Sequence, residues 1–174
     1  SVGTTTYTFA SWSDGGAQQH VVVVPDADQS YTATYTASST PPGPPTFVQV
    51  ASATPQSPQS TVTTVFANAQ TAGNLNVVVV GWNDTTSTIA SVADSAGNIY
   101  QIAAPTRRGT GISQAVYYAR NIVASGLGAN AVTVTFSQPA VYVDVRIAEY
   151  SGLDRTNPLD VTAGLGAGLL LGGA

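Results

Sequence analysis

The sequence has no cysteine, no methionine and no lysine, and only 8% of its 174 residues are charged. Ordinary soluble domains carry about 25% charged residues. The absence of cysteine excludes a disulfide framework and thiol catalysis, and the absence of lysine excludes Schiff-base chemistry and lysine–asparagine isopeptide cross-links. Because the chain begins at Ser1 without a methionine, we expect a processed product or a segment of a longer protein.

Positive charge is also scarce, since five arginines accompany nine acidic residues and give a formal net charge of −4. A nucleic-acid-binding domain needs a clustered basic face, so nucleic acid is not an expected partner. No apolar run approaches the roughly 20 residues of a membrane-spanning helix, so no membrane span is predicted. The tail from Gly164 to Ala174 is too short and glycine-rich for a span, and we interpret it as a strand-like end that lacks a partner.

Residues suited to catalysis are few. His20 is the only histidine and Glu149 is the only glutamate. Nucleophilic triads normally use a histidine base, and glycosidases need two carboxylates across a cleft. In the strand-like segment "VYVDVRIAEY", Asp144 and Glu149 fall on opposite faces, so a working carboxylate pair is not expected. We therefore predict that the protein is not an enzyme.

Most of the sequence has the pattern of short β-strands. Segments of about 5–8 residues, rich in β-branched and aromatic side chains, alternate with turn-forming segments. Examples are "STVTTVFA", "NLNVVVVGW" and "NAVTVTF". This pattern predicts an all-β fold, namely an antiparallel β-sandwich of the immunoglobulin or lectin type preceded by a small three-stranded β module.

One separator, "ADSAGNIY", predicts a tight hairpin. Asp94 and Ser95 can hydrogen-bond to the nearby backbone, and Gly97 supplies a positive φ. A new strand is expected to begin at Asn98. Asp94 is therefore interpreted as a turn residue.

A proline-rich segment, "ASSTPPGPPTF", separates two strand-rich regions. Proline cannot donate a ladder hydrogen bond, and proline-rich segments favour the extended polyproline II conformation. We interpret residues 38–45 as a semi-rigid spacer between a partial small β module at 1–37 and a β-sandwich at 46–174. The small module is expected to contain three strands, from "TTTYTFA", "HVVVVP" and "SYTATYTA".

The segment "AVYVDVRIAEY" offers the best candidate contact surface. Its polar face is predicted to carry Tyr142, Asp144, Arg146 and Tyr150, with Asp144 and Arg146 close enough to pair. Such a strip could stack on sugar rings or on another subunit, and the alternative is a solvated sheet face. Trp82, at the end of "VVVVGW", is a second candidate contact, although such tryptophans more often pack in the core or at its rim.

A possible calcium site is the other candidate. Asp154, Asn157 and Asp160 offer oxygen ligands in a predicted loop. The cluster lacks the full ligand count of a recognised calcium loop, and turn capping is the alternative. No other cofactor is expected.

Residues 4–37 resemble the bacterial-repeat modules of secreted and cell-wall proteins. The resemblance rests on an aromatic residue, a W-S-x-G-type turn, a valine-rich strand and a closing T-x-T-A-x-[FY] pattern. The matching residues are Phe9, Trp12, Ser13, Asp14, Gly15, Val21–Val24 and Tyr31–Tyr35.

The larger region, residues 46–162, resembles more loosely the lectin-like β-sandwich repeats of large extracellular bacterial proteins. The segments that carry this resemblance are "VVVVGWNDTTSTIASVADSAGNIY" and "VRIAEYSGLDRTNPLDVTA". Both resemblances imply an extracellular or cell-surface location in tandem arrays, and neither implies a catalytic residue.

Two functional hypotheses follow from the sequence. The first is a non-catalytic structural or adhesive module that associates with other copies of itself, or with neighbouring modules, by strand addition to an edge. The second is a carbohydrate-binding accessory module of a secreted enzyme, with a polysaccharide as its partner.

Overall fold

The computed structural model describes residues 5–23, 25–39 and 43–162, and these form antiparallel strands in three sheets without a helix. This confirms the predicted all-β class and its sandwich architecture. Nothing in these ranges is a helix long and apolar enough to cross a membrane. The strands are β1 (Thr5–Trp12), β2 (Ala33–Ser39), β3 (Thr46–Ala53), β4 (Gln59–Val65), β5 (Leu75–Trp82), β6 (Ile89–Asp94), β7 (Gln101–Arg108), β8 (Ser113–Ala119), β9 (Ala131–Ala140) and β10 (Asp144–Ser151).

The chain divides into two compact units between residues 42 and 43, inside the segment predicted as a spacer. Ser38 and Ser39 belong to β2, whereas residues 43–45 have no regular secondary structure. The predicted polyproline II spacer lies partly outside the described residues. The tail from Gly164 to Ala174 lies wholly outside them.

The first unit is a two-stranded antiparallel hairpin of β1 and β2. The prediction of a third, middle strand in this module is wrong, because residues 20–23 adopt no regular secondary structure. Val21 and Val23 are 91% and 84% exposed. A β-branched run favours a strand only where it packs on a pleated, half-buried surface, and this run has no such surface.

The second unit is a β-sandwich. A five-stranded sheet in the order β3-β10-β5-β8-β7 packs on a three-stranded sheet in the order β4-β9-β6. Both sheets contribute to one hydrophobic core, and burying each valine, isoleucine or phenylalanine in it is worth about 1.5–3 kcal/mol. The buried core residues are Val62, Phe66, Val78, Val80, Trp82, Ala115, Val132, Val134, Phe136, Ala140, Val143, Val145 and Ile147.

The segment "ADSAGNIY" forms the predicted turn but not the predicted hairpin. The Gly97 amide donates to the Asp94 carbonyl, and Gly97 has a φ of +78°. However, β6 pairs with β9 in one sheet and β7 pairs with β8 in the other. The turn therefore links the two sheets, because each flanking strand finds a more distant partner.

Candidate interaction surface

One face of the five-stranded sheet points away from the core, and its middle is apolar. The strand register places Val50, Ala148, Val77 and Tyr118 side by side across β3, β10, β5 and β8. Since Ile147 beside Ala148 is fully buried, strand alternation directs this row outward. A second outward row is formed by Ser52, Arg146, Val79 and Val116. The two rows together are named the outer face.

A charged pair interrupts the apolar outer face at Arg146. Arg146 donates to both carboxylate oxygens of Asp144, from Nε to Oδ1 and from Nη2 to Oδ2, each at 3.1 Å. The pairing expected from the two-residue spacing is therefore present. Both side chains are substantially exposed, and an exposed ion pair contributes only about 0–1 kcal/mol to stability. The pair therefore places a charge in the second row and contributes little to stability.

The two tyrosines of the predicted strip, Tyr142 and Tyr150, do not lie on the same strand. Tyr150 lies in β10 and packs against Phe47 with ring centroids 5.8 Å apart and an interplanar angle of 72°. Tyr142 lies outside β10, which begins at Asp144, and has a φ of +45°. Because it is not part of the strand, Tyr142 does not continue the row of outward-facing side chains.

Trp82 is a core residue, and its prediction as an exposed contact platform is wrong. Its side chain is 1% exposed and packs edge-on against Phe136, with ring centroids 5.5 Å apart. The Arg108 guanidinium lies 5.9 Å from the centroid of the indole ring. The core packing that the sequence left as the alternative is the observed arrangement, because the inward positions of β5 face the other sheet.

Among the residues that the structure describes, β3 is an edge strand that pairs only with β10. After a register shift near its start, the pairing is regular from Gln49 onward. The eight residues of β3 include no charged residue and no proline, and Phe47, Val48 and Val50 are 55%, 42% and 58% exposed. Such an edge presents unpaired backbone donors and acceptors to a further strand. The β3 edge is thus suited to pairing with another chain.

Two of the other edge strands of the sandwich, β7 and β6, carry features that discourage such pairing. β7 has two register shifts, contains Pro105 and ends in Arg107 and Arg108. β6 is only six residues long and ends at Asp94. Within the described residues of β4, a single large hydrophobic side chain, Val65, is exposed. β3 therefore combines an apolar surface with an unprotected backbone edge.

The segment after β10 packs on the end of the outer face that is farther from β3. Pro158 and Leu159 line a cleft of about 170 Å³ together with Val77, Val116 and Tyr118. This contact covers part of β5 and β8, so the open part of the outer face is the part nearest β3.

The predicted calcium ligands form a turn. Both the Thr156 and Asn157 amides donate to Asp154 Oδ1, at 2.7 and 2.8 Å. These two hydrogen bonds hold the pKa of Asp154 below its ordinary value. In the part of the chain that the structure describes, no three His, Cys, Asp or Glu side chains converge as a metal site. The geometry is that of the turn-capping alternative, with Asp160 exposed and apart from these bonds.

No feature of the sequence indicated that a buried glutamate is the centre of a hydrogen-bond network. Glu149 is fully buried, and its Oε2 accepts from Gln49 Nε2 at 2.6 Å. Its Oε1 accepts from Asn74 Nδ2 at 2.6 Å and from the Thr71 amide at 3.3 Å. The side-chain oxygen of Gln49, Oε1, in turn accepts from the backbone amide of Asn68. The side chain therefore joins β3, β10 and the segment before β5 inside the sandwich.

A second polar network lies at the end of β6, around the half-buried Asp94. Asp94 Oδ2 accepts from Asn98 Nδ2, Asn130 Nδ2 and the Tyr100 hydroxyl, at 2.8, 3.0 and 3.0 Å. Burial is the main reason that the pKa of Tyr100 is raised, and the nearby Asp94 raises it further. Tyr100 consequently remains a hydrogen-bond donor at neutral pH. This network explains why Asp94 is more than a turn residue.

Asp84 organises the loop after β5. Its carboxylate accepts from the amides of Thr86, Ser87 and Val141 and from the Ser87 hydroxyl. Burial by itself would raise the pKa of Asp84, but these hydrogen bonds outweigh it and the pKa lies below its ordinary value. Val141 immediately precedes Tyr142 and lies shortly before β10. Its hydrogen bond to Asp84 therefore fixes the segment that leads into β10.

In the hairpin unit, the single histidine is paired. His20 Nε2 lies 2.8 Å from Asp14 Oδ2, and His20 Nδ1 lies 2.8 Å from the Ala17 carbonyl oxygen. The Asp14 side chain raises the pKa of His20 above its ordinary value of 6.5. The pKa of Asp14 lies below its ordinary value of 3.8. The main cause is the hydrogen bond from the Gly16 amide, and the second is the hydrogen bond with His20. A Cβ at residue 16 would meet the imidazole ring, so a larger residue there would displace the His20 side chain.

Replacing Asp14 with asparagine is expected to move the pKa of His20 down toward 6.5, because the carboxylate that favours the imidazolium is lost. In the native hairpin, the stabilisation by protonated His20 is fully present below 6.5 and disappears as pH rises through the raised pKa. The contribution of Asp14 is present above 3.8 and disappears as pH falls through its lowered pKa. Titration of the imidazole proton resonances by NMR measures the change.

Asp28→Asn is the matched control, since Asp28 is an exposed acidic residue of the same unit. It should leave the His20 titration unchanged. An unchanged titration in Asp14→Asn would contradict the observed pairing.

The described structure thus defines an all-β sandwich with an open apolar face and an unprotected edge, accompanied by a small hairpin unit. Comparisons with protein-family models, with curated proteins and with solved structures found no match.

Proposed function

We propose that this protein is a non-catalytic structural module that associates with other copies of itself by strand addition at β3. The observation that carries the proposal is the β3 edge, where an uncharged, proline-free strand exposes Phe47, Val48 and Val50. A strand of a second copy would continue the five-stranded sheet through backbone hydrogen bonds. The same step would cover apolar side chains next to the edge.

The outer face extends the contact beyond one strand. The strand register places Ala148 and Val77 beside Val50 on the neighbouring strands. A partner bound along β3 would therefore meet a row of apolar side chains. Only 8% of residues are charged, and the net charge of −4 is spread over 174 residues. Repulsion between copies is therefore weak, which favours association of like chains.

An extracellular or cell-surface setting is part of the proposal. Its support is the composition without cysteine or lysine, together with the resemblance of residues 4–37 and 46–162 to modules of secreted bacterial proteins. A role without catalysis is supported by the small number of catalytic residue types. His20 is committed to Asp14 and the Ala17 carbonyl group.

Replacing Val50 with lysine is expected to reduce self-association strongly, because a charge on an edge strand opposes addition of another strand. Val50 is 58% exposed, so the substitution should leave the fold intact. Sedimentation velocity across a concentration series would measure the change. The wild-type protein is expected to form dimers or larger species, and Val50→Lys to remain monomeric.

Val65→Lys is the matched control, because Val65 is a 44% exposed valine on an edge strand of the other sheet. It should associate like the wild-type protein. A wild-type chain that remains monomeric throughout the series would overturn the proposal. Equal loss of association in both variants would assign the effect to general charge rather than to β3.

Carbohydrate binding at the predicted strip is less well supported by the geometry. Trp82 is buried, and the rings of Phe47 and Tyr150 are inclined by 72°. A flat stacking platform needs exposed rings that lie in similar planes. The strip is therefore better suited to packing against a protein partner than to stacking on sugar rings.

A further inference from the structure

A cavity lined by both polar and apolar side chains lies at the edge of the five-stranded sheet opposite to β3. It has a volume of about 440 Å³ and is formed where the chain enters β7, leaves β8 and continues beyond β10. Ligand pockets typically measure about 300–1,000 Å³, so the space is adequate for a small ligand. The residues that define its chemistry are Arg120, Arg155, Gln101, Asn121, Ile99 and Val123.

The cavity is rich in hydrogen-bond donors. Two of the five arginines of the chain, Arg120 and Arg155, line it, whereas no Asp or Glu is among the described residues that do so. The oxygen of the Gln101 side chain accepts from the Tyr118 hydroxyl at 2.9 Å, which leaves the Gln101 amide group oriented for donation. A guanidinium group recognises a planar carboxylate by two parallel hydrogen bonds. The donor set therefore matches an anionic group.

Both arginines contact the backbone of neighbouring segments. Arg120 Nη1 donates to the Thr156 carbonyl oxygen, which ties the segment after β10 to the end of β8. The Arg155 guanidinium lies against Gly73, where a Cβ would meet it. Both side chains are exposed and therefore accessible to a ligand.

A left-handed residue lies beside the cavity. Asn121 has a φ of +49°, a conformation that asparagine adopts more readily than other non-glycine residues. It places an exposed carboxamide beside Arg120, where the amide can donate to or accept from a hydroxyl group.

We infer that this cavity binds a carboxylate-bearing sugar of the uronic acid class. The arginines would hold the carboxylate, and Gln101 and Asn121 would hydrogen-bond to hydroxyl groups. Ile99 and Val123, which are 80% and 55% exposed at the rim, would contact the apolar face of the sugar ring. This site is separate from β3 and is independent of the proposed self-association.

Isothermal titration calorimetry of the full chain with trigalacturonate would test the inference. Trigalacturonate should bind, and Arg155→Gln should weaken binding by about tenfold or more, because a hydrogen bond to a charged group is lost. Arg120→Gln should also weaken binding, which provides a second variant if one substitution disturbs folding. The affinity should fall as salt is added, since the carboxylate contact is electrostatic.

Arg107→Gln is the charge-matched control, because Arg107 is an exposed arginine of β7 outside the cavity. It should leave the affinity unchanged within about twofold, a difference below 0.5 kcal/mol. Absence of trigalacturonate binding, or equal weakening by Arg107→Gln, would overturn the inference. Equal affinity for a neutral galactose trisaccharide, or for sulfate alone, would also overturn it.

Val50→Lys distinguishes this site from the proposed self-association. That variant should become monomeric and still bind trigalacturonate, since β3 and β7 lie at opposite edges of the sheet. Loss of trigalacturonate binding in a folded Val50→Lys monomer would contradict the separation of the two sites.

Discussion

Replacing Glu149 with alanine is expected to lower the free energy of unfolding of the sandwich by about 3–5 kcal/mol. Glu149 is fully buried and accepts hydrogen bonds from Gln49, Asn74 and the Thr71 amide. Alanine would remove the acceptor of Asn74 Nδ2 and of the Thr71 amide. Gln49 Nε2 would keep only its hydrogen bond to the Asn68 carbonyl oxygen. Each unsatisfied buried donor costs about 1–3 kcal/mol, so the losses together exceed the effect of an ordinary substitution.

Urea denaturation followed by far-UV circular dichroism would measure this loss as a lower midpoint. Glu149→Gln should have an intermediate effect, because glutamine retains one acceptor but places an amide group opposite a donor. Asp144→Ala is the control, since it removes an exposed carboxylate from the same strand and should change stability by less than about 1 kcal/mol. Equal midpoints for Glu149→Ala and Asp144→Ala would show that the buried hydrogen bonds are dispensable.

Replacing Trp82 with alanine is expected to cost about 3–5 kcal/mol of stability, because it would leave a large cavity between the sheets. Trp82 is 1% exposed, packs against Phe136 and lies beneath Arg108. Its indole nitrogen is buried without a hydrogen-bond partner in the described structure. The stabilisation by Trp82 therefore arises from packing rather than from hydrogen bonding.

A lower melting temperature, together with a lower urea midpoint, would record this effect. Trp82→Phe should be milder, because it retains much of the ring volume and loses no hydrogen bond. Tyr142→Ala is the exposed aromatic control and should remain within about 0.5 kcal/mol of the wild-type protein. If Trp82→Ala retained its stability but lost association with a partner, the original surface assignment of Trp82 would be restored.

The variants at Glu149 and Trp82 also separate stability from the proposed functions. Glu149→Ala and Trp82→Ala act on the interior, whereas Val50→Lys and Arg155→Gln alter exposed surfaces. Fold and function should consequently respond to different substitutions. A surface variant that unfolds the sandwich would remove this distinction and would have to be replaced by a milder one at the same position.

Short-range patterns were sufficient to predict the class of fold and several local features. Alternation along β10 correctly placed Glu149 on the buried side and Asp144 on the exposed side. The turn containing Gly97 was also predicted correctly, because positive φ is a local requirement. These features depend on the two-residue strand period and on turn chemistry, both of which are properties of neighbouring residues.

Other features depended on residues that are distant in the sequence. The hydrogen bond between Gln49 and Glu149 joins positions 100 residues apart, and no local pattern indicates such a pair. The link from β6 to β7 resembles a hairpin locally but crosses between sheets, because β9 and β8 supply the partner strands. Strand existence is local, whereas the choice of partner is not.

The sequence by itself determined that the chain forms short β-strands separated by polar turns and that it contains a single histidine and no cysteine or lysine. Tertiary structure decided which of those strands have an open edge and which side chains are covered. It buried Trp82, left the valine run at residues 21–23 exposed and brought Arg120 to the same cavity as Arg155. The physical reason is that burial and convergence depend on packing between distant segments, which local side-chain periodicity does not encode.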